Sequence, residues 1–151
     1  MAAVEGAPPG GFWIRFVAYM IDGLIMLVPT VILVGVFAGF VILTGAPVND
    51  APVLVFVLFI IVPMILGNWL YEALMTSSPR RATLGKLALG LSIVRFDGTQ
   101  LSFGRATARH FGKYMVTPMV PLAIGYIMAA FTNRKRALHD ILVDTLVIRS
   151  S

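Results

Sequence analysis

Residues 16–43 read FVAYMIDGLIMLVPTVILVGVFAGFVIL, a run of 28 residues in which Asp22 is the one ionisable side chain. A helix of about 20 apolar residues crosses the hydrocarbon core of a bilayer. A second run, residues 53–74, has 22 residues and again one ionisable side chain, Glu72. The two runs predict two membrane-spanning helices, and they decide the fold class.

The composition of the whole chain agrees with this interpretation. Of its 151 residues, 58% are hydrophobic and 13% are charged, whereas soluble domains carry about 25% charged residues. A chain with so little charge lacks the polar surface of a soluble domain. It has no cysteine, which excludes disulfides and thiolate metal sites.

A third apolar run, residues 114–131, has no charge but contains Thr117, Pro118 and Pro121. Proline interrupts a helix by removing a backbone donor. The run is therefore either a kinked full span or a broken helical hairpin, which requires shielding from lipid. We predict an all-α membrane protein with a bundle of about three transmembrane helices, in which residues 1–11 form a flexible N-terminus and residues 12–149 a single membrane domain.

The loop charges predict the orientation, because Lys and Arg accumulate on the cytoplasmic side. Residues 75–113 contain seven Lys and Arg and one Asp, whereas residues 44–52 contain Asp50 and no base. We therefore expect the N-terminus and residues 75–113 to be cytoplasmic in the cell membrane. The tail, residues 132–151, is also basic, although three full spans would place it outside.

The cytoplasmic segment has local signals of its own. Residues 91–96 and 99–103 flank Asp97-Gly98, a pair typical of a type I′ turn, and this predicts a short β-hairpin. Residues 145–148 are β-prone and are a candidate third strand. Ser102 is a plausible helix N-cap. The helix that follows places Arg105, Arg109 and Lys113 on one face, which we expect to bind anionic lipid headgroups at about 1 kcal/mol per cation.

Ionisable residues within the spans should face the protein interior, because charge avoids lipid. Arg15 and Asp22 share a helical face, but their Cα atoms are about 10.5 Å apart along the axis, so each should have another partner. Asn68 and Glu72 are one turn apart in the second helix, and we predict an Arg15–Glu72 pair. These charges either serve function or only hold helices together.

Other motifs are weaker. Lys86 in Thr-x-Gly-Lys lacks the preceding glycine of a phosphate loop, which indicates a helix entry with a lipid-facing lysine. The two histidines, His110 and His139, are too few for a metal site. Gly35 and Gly39 have the spacing of a helix-packing motif. Nothing predicts an enzyme, a cofactor site or a nucleic-acid interface.

Three sets of residues resemble the RDD family of small prokaryotic membrane proteins. They are residues 11–22, GFWIRFVAYMID; residues 83–86, TLGK, with Gly90 and residues 93–98, IVRFDG; and residues 137–140, ALHD, with Asp144-Thr145. The family is named for one arginine and two aspartates, which map onto Arg15, Asp22 and Asp140. Asp144 stands where a small residue is common, so both Asp140 and Asp144 remain candidates for the second aspartate. The resemblance implies about three helices in a bacterial cytoplasmic membrane, and a suspected transport function.

Two functions fit these observations. In the first, the chain is a small transporter that exchanges cations for protons, with Asp22 as the exchanging carboxylate and Arg15 tuning it. Three spans scarcely enclose a path, so this function requires a homo-oligomer. In the second, the chain is a non-transporting accessory protein that binds lipid or a partner. In either case we expect the apolar tail around Asp140 to fold back, so that Asp140 meets a cation, with Arg15, Lys86 and Arg109 as candidates.

Overall fold

The computed structural model describes residues 6–45, 50–116, 131–132 and 135–149. Most of these residues are helical, and a small antiparallel sheet completes the fold. The helices are α1, Phe12–Thr44; α2, Asp50–Phe56; α3, Val62–Ser77; α4, Leu84–Ala88; α5, Phe103–Phe111; and α6, Leu138–Leu142. Two π-helical segments, Val57–Ile61 and Gly112–Val116, follow α2 and α5. The strands are β1, Leu91–Arg95, and β2, Thr145–Arg149.

The chain divides into two compact units. Residues Met1–Asp22 together with Tyr71–Ser151 form the first, which we name the charged unit. Residues Gly23–Leu70 form the second, the apolar unit. All of the contacts that build the candidate site below lie within the charged unit.

The two predicted long apolar helices are confirmed. Helix α1 and the helical stretch Leu54–Ser77 are each long and apolar enough to cross a membrane. Their large apolar side chains are mostly exposed within the chain, as at Leu24 (65%) and Leu43 (88%). The core helix of a soluble protein would instead bury such side chains. Pro29 lies inside α1 without ending the helix.

The predicted hairpin between residues 91–96 and 99–103 is wrong. Strand β1 pairs antiparallel with β2, and the register runs from Leu91 opposite Arg149 to Arg95 opposite Thr145. The candidate third strand is therefore the true partner of the first. Its buried residues Leu146 and Val147 give β1 an apolar neighbour, and cross-strand packing of this kind stabilises a sheet.

The chain does turn at Asp97-Gly98, but the turn is not the predicted type I′, because that type needs a positive φ at both residues and Asp97 does not have one. Gly98 adopts a left-handed conformation, with φ of 82°, and the Arg95 amide donates to the Thr99 carbonyl at 2.9 Å across the turn. The predicted Ser102 cap is confirmed, because its side chain accepts a hydrogen bond from the Arg105 amide. Helix α5 begins directly after Ser102, which leaves too few residues for a second strand.

The N-terminal segment before α1 lies along the other edge of β2. The Gly10 amide donates to the Val147 carbonyl at 2.8 Å, and the Arg149 amide donates to the Pro8 carbonyl at 3.0 Å. This pairing fixes the start of α1 next to the C-terminal strand, and it places Arg15 close to the tail. The choice between a full span and a hairpin for residues 114–131 lies largely on residues 117–130, outside the described residues.

Candidate functional site

Asp140 lies among cations in the charged unit. Its Oδ2 accepts a hydrogen bond from the Ala137 amide at 3.2 Å, within the first turn of α6. Arg109 donates to Oδ1 from Nε at 3.0 Å and from Nη2 at 2.7 Å, and Arg15 donates to Oδ2 from Nη1. Burial raises the pKa of Asp140, but the charges of Arg109 and Arg15 outweigh it and hold the pKa below its ordinary value. Asp140 is therefore ionised with fixed partners.

Arg15 connects three parts of the charged unit. Besides Asp140, its guanidinium donates to the carbonyl of Gly10 at 2.7 Å and to the carbonyl of Lys135 at 2.5 Å. The prediction that Asp140 meets a cation, with Arg15 and Arg109 among the candidates, is confirmed. The predicted Arg15–Glu72 pair is wrong, because the folded-back tail brings the carboxylate of Asp140 to Arg15.

Glu72 is surrounded by a second group of basic side chains. Its carboxylate lies 2.9 Å from His110 Nδ1, 3.3 Å from Lys113 Nζ and 3.8 Å from Lys86 Nζ. Arg109 Nη1 lies 3.5 Å from Glu72 Oε1, so this one guanidinium joins both carboxylates. The result is a continuous charge network, formed by Arg15, Asp140, Arg109, Glu72, Lys86, His110 and Lys113.

The predicted basic face exists, and two of its side chains, those of Arg109 and Lys113, pair with buried carboxylates; its contact with lipid headgroups stays a prediction. The side chain of Arg109 is 4% exposed and that of Lys113 13% exposed, and both reach carboxylates inside the unit. Arg105 is half-buried and donates to the Val143 carbonyl at 3.3 Å. The face turns inward because the buried carboxylates of Asp140 and Glu72 attract it. Lys86 is likewise buried, so the lipid-facing orientation predicted for its side chain is wrong.

Asp22, which is half-buried, has a different environment from the two buried carboxylates. Its Oδ1 accepts hydrogen bonds from the Tyr71 hydroxyl and the Gly85 amide, both at 2.8 Å, and its Oδ2 accepts one from the Thr83 hydroxyl at 2.6 Å. All three donors are neutral. As expected, Arg15 and Asp22 each have another partner, although Arg15 makes no described contact that would tune Asp22.

Gly85 lets α4 approach α1 closely enough for these hydrogen bonds. A Cβ atom at this position would lie 2.2 Å from the Ala18 carbonyl oxygen and 2.9 Å from Asp22 Cγ. Both distances are far below van der Waals contact. Three residues of the Thr-x-Gly-Lys motif therefore contact carboxylates. Thr83 and Gly85 donate hydrogen bonds to Asp22, and Lys86 lies beside Glu72.

The remaining predicted residues lie outside these contacts. Asn68 is half-buried in α3 and belongs to the apolar unit. The side chain of Asp144 is 59% exposed and pairs with Arg136 at 3.4 Å. Asp140, which is fully buried, is thus the aspartate that joins the network.

Two histidines lie beside the carboxylates of Asp140 and Glu72. Burial lowers the pKa of His139 to about 3, so its ring is neutral at pH 7. His110 contacts Glu72 through Nδ1. Among the described residues no group of three or more His, Cys, Asp or Glu could hold a metal ion.

Sequence reasoning missed Tyr71, Thr83, Gly85 and His110 as members of the site. The signal for Thr83 and Gly85 was the Thr-x-Gly-Lys motif, which indicated a helix entry without showing what the helix approaches. Tyr71 directly precedes Glu72 in α3, and the two side chains take part in different clusters. Tyr71 donates to Asp22, whereas Glu72 contacts the basic side chains. Nothing in the sequence alone distinguishes Tyr71 from an interfacial aromatic residue.

Comparison with known proteins places the chain in a family. The model of the RDD family matches residues 9–144, a range that contains Arg15, Asp22 and Asp140. This chain belongs to the RDD family. It is an RDD membrane protein with two helices long and apolar enough to cross a membrane.

Its relatives within this comparison come from Bacillus subtilis (strain 168). The uncharacterized protein YxaI is 38% identical over 149 residues, which cover 93% of this chain and 97% of YxaI. The uncharacterized protein YckC is 30% identical, with 92% of this chain and 83% of YckC covered. The uncharacterized membrane protein YteJ is 28% identical, with 91% and 79% covered. No solved structure matches the chain.

Proposed function

We propose that this RDD protein is a multi-pass protein of the bacterial cell membrane, with its N-terminus and residues 75–113 in the cytoplasm. The charge difference between residues 75–113 and 44–52 supports this orientation. The two long apolar helices support the location. The relative YteJ, which is named a membrane protein, also supports it.

Within the membrane, the protein exchanges cations for protons through Asp22. The observation that carries this proposal is the set of neutral donors around the carboxylate: the hydroxyls of Tyr71 and Thr83 and the amide of Gly85. Such donors hold a carboxylate in place without neutralising its charge. A proton or a metal cation can supply the missing positive charge, and each excludes the other.

The oxygen-rich surroundings of Asp22 suit such an exchange. Hard cations bind carboxylate, hydroxyl and carbonyl oxygens. The hydroxyl oxygens of Tyr71 and Thr83 both lie within 3 Å of the carboxylate. Asp140 and Glu72 do not suit this role, because Arg and Lys side chains already neutralise them.

The exchange path requires more than one copy of the chain. About three spans scarcely enclose a route across a bilayer, so the transporter is a homo-oligomer. Gly35 and Gly39 lie on the apolar helix α1, and no atom of the described residues lies within 4 Å of a Cβ built at either position, as a close helix contact requires.

Flux measurement in proteoliposomes that contain only this protein tests the proposal. The wild type should release protons from acid-loaded vesicles when an external monovalent cation is added. Asp22→Asn keeps the shape of the side chain but cannot change its charge, so it should abolish this flux. Asp144→Asn is the matched control, because it removes an exposed carboxylate outside the site. Wild-type flux in Asp22→Asn would remove Asp22 from the mechanism.

A second function, that of an accessory protein that transports nothing, is favoured by a separate observation. The network around Asp140 and Glu72 is held by ion pairs of Arg109 with both carboxylates and by a hydrogen bond between His110 and Glu72, which is typical of side chains that hold helices together. The flux experiment separates the two functions. Absence of cation-dependent proton flux from correctly inserted wild-type protein would favour the accessory function.

A further inference from the structure

The charge network contains more positive than negative charge. Its fixed cations are Arg15, Lys86, Arg109 and Lys113, and its carboxylates are those of Glu72 and Asp140. Four cations against two carboxylates leave a net charge of +2. Isolated charge inside a protein is costly unless a counter-charge accompanies it.

No other acidic side chain that the structure describes supplies this counter-charge. Adding Asp22, whose described hydrogen bonds come from neutral donors, still leaves a net charge of +1. Asp97 and Asp144 pair with Arg95 and Arg136. Asp50 belongs to the apolar unit, and Glu5 lies outside the described residues.

Lys86 is the cation with the poorest hydrogen bonding. The residue is only 8% exposed, yet its Nζ lies 3.8 Å from the nearest carboxylate oxygen, that of Glu72. This distance is too long for a hydrogen bond. No other described residue accepts a hydrogen bond from this ammonium group. Burial lowers its pKa to about 8, because Glu72 offsets only part of the cost of burial.

Lys113 connects this buried position to the surface. Its Nζ lies 3.3 Å from Glu72, and it also lies 4.9 Å from the centre of the Tyr19 ring and 5.0 Å from that of the Tyr114 ring. Both tyrosines are exposed, at 49% and 38%. Tyrosine is enriched at the level of lipid headgroups. Glu72 lies five residues before α3 ends at Ser77, a position near the end of the span that also fits the level of the lipid headgroups.

We propose that Lys86 and Lys113 together bind a phosphate group that enters between Tyr19 and Tyr114. A phosphate diester carries one negative charge and accepts hydrogen bonds through its free oxygens, so it supplies both the counter-charge and the acceptors that Lys86 lacks. The depth of the site favours the phosphate of an anionic lipid such as phosphatidylglycerol. Inorganic phosphate has the same chemistry, and the experiment separates the two sources.

Thermal unfolding of the full chain in nanodiscs tests this site. The melting temperature is measured in phosphatidylcholine, in phosphatidylcholine with inorganic phosphate, and in phosphatidylglycerol. We expect phosphatidylglycerol to raise the melting temperature of the wild type. Lys86→Met should lose this rise, and Lys86→Arg should retain most of it. Arg80→Gln, which removes an exposed base outside the network, should behave as the wild type.

Native mass spectrometry of the same samples provides a second readout. Retention of phosphatidylglycerol should fall about fivefold in Lys86→Met, the factor that corresponds to about 1 kcal/mol per cation. A rise in melting temperature with inorganic phosphate alone would support the site and assign the free ion as its ligand. An equal rise in Lys86→Met and the wild type, or no rise with either ligand, would overturn the proposal.

A measurement on the wild type keeps the proposal testable if Lys86→Met does not fold. The chain has three lysines, Lys86, Lys113 and Lys135, so their ¹⁵N-labelled ammonium signals can be assigned separately. Addition of phosphatidylglycerol or phosphate should shift the signals of Lys86 and Lys113. Unchanged signals from both lysines would contradict the site.

Discussion

Gly85→Ala is the substitution whose effect follows most directly from the geometry of the site. The added Cβ would lie 2.2 Å from the Ala18 carbonyl oxygen, whereas a carbon and a carbonyl oxygen in contact are about 3.3 Å apart. Helix α4 must therefore move away from α1 by about 1 Å. The move breaks the hydrogen bonds that Asp22 accepts from the Gly85 amide and the Thr83 hydroxyl, at 2.8 and 2.6 Å.

The magnitude follows from these two bonds. A hydrogen bond to a charged group contributes about 1.5–3 kcal/mol, and the lower value applies because Asp22 is half-buried. Gly85→Ala should therefore destabilise the protein by about 3 kcal/mol. For a chain of this size, each kcal/mol lowers the melting temperature by about 2–4 °C. The expected loss is thus about 6–12 °C.

The assay is thermal unfolding in detergent, followed by the fluorescence of the two tryptophans. Gly104→Ala is the matched control, because this glycine lies in helix α5 with open space at its Cβ position. It should leave stability unchanged or raise it by up to about 1 kcal/mol, since alanine favours a helix. An unchanged melting temperature for Gly85→Ala, or an equal loss for Gly104→Ala, would refute the close approach of α4 to α1.

Three further predictions concern stability, pH and orientation. Arg15→Ala removes a cation beside buried Asp140 and should lower the free energy of unfolding by about 3–5 kcal/mol. Arg15→Lys should lower it by less, and a loss below about 1 kcal/mol in Arg15→Ala would contradict the network. Because His139 has a lowered pKa of about 3, the unfolded chain binds a proton that the folded chain does not. Stability should then fall by about 1.4 kcal/mol per pH unit from about pH 6 to pH 4, and His139→Gln should remove this slope if the assignment is right. The chain has no cysteine, so a cysteine introduced at Asn49 should react with a membrane-impermeant thiol reagent from outside, and labelling only after permeabilisation would contradict the predicted orientation. A cysteine introduced at Ser151 tests residues 114–131: protection from the reagent would favour the hairpin, and labelling in intact cells would favour the full span.

Local features of this chain could be predicted because their causes lie within a few residues. The Ser102 cap, the Asp97-Gly98 turn and the long apolar helices all depend on neighbours in sequence. The strand partner of residues 91–95 could not be found this way, because it lies about 50 residues later, in β2. A turn signal shows where the chain reverses, but it does not show which segment pairs with it.

The charge network shows the same limit for side chains. The spacing of Arg105, Arg109 and Lys113 correctly predicts one face, but it cannot show which way that face points. Its direction depends on Glu72 and on Asp140, and Asp140 reaches the network only after the tail folds back. The apolar residues of the tail around Asp140 did predict this folding. The contacts of Asp140 with Arg15 and Arg109 could therefore be predicted from the sequence.

The central claim is that Asp22 changes its protonation state during exchange, whereas Asp140 stays ionised between its arginines. Difference infrared spectroscopy of the protein in lipid measures this directly, because a protonated carboxyl has a carbonyl stretch that a carboxylate lacks. Acidification should produce several such bands, one of which is removed by the transported cation and is missing in Asp22→Asn; the bands of exposed acids such as Asp144 should not respond to the cation. A cation-sensitive band that persists in Asp22→Asn, or a wild-type spectrum with no cation-sensitive band, would contradict the claim.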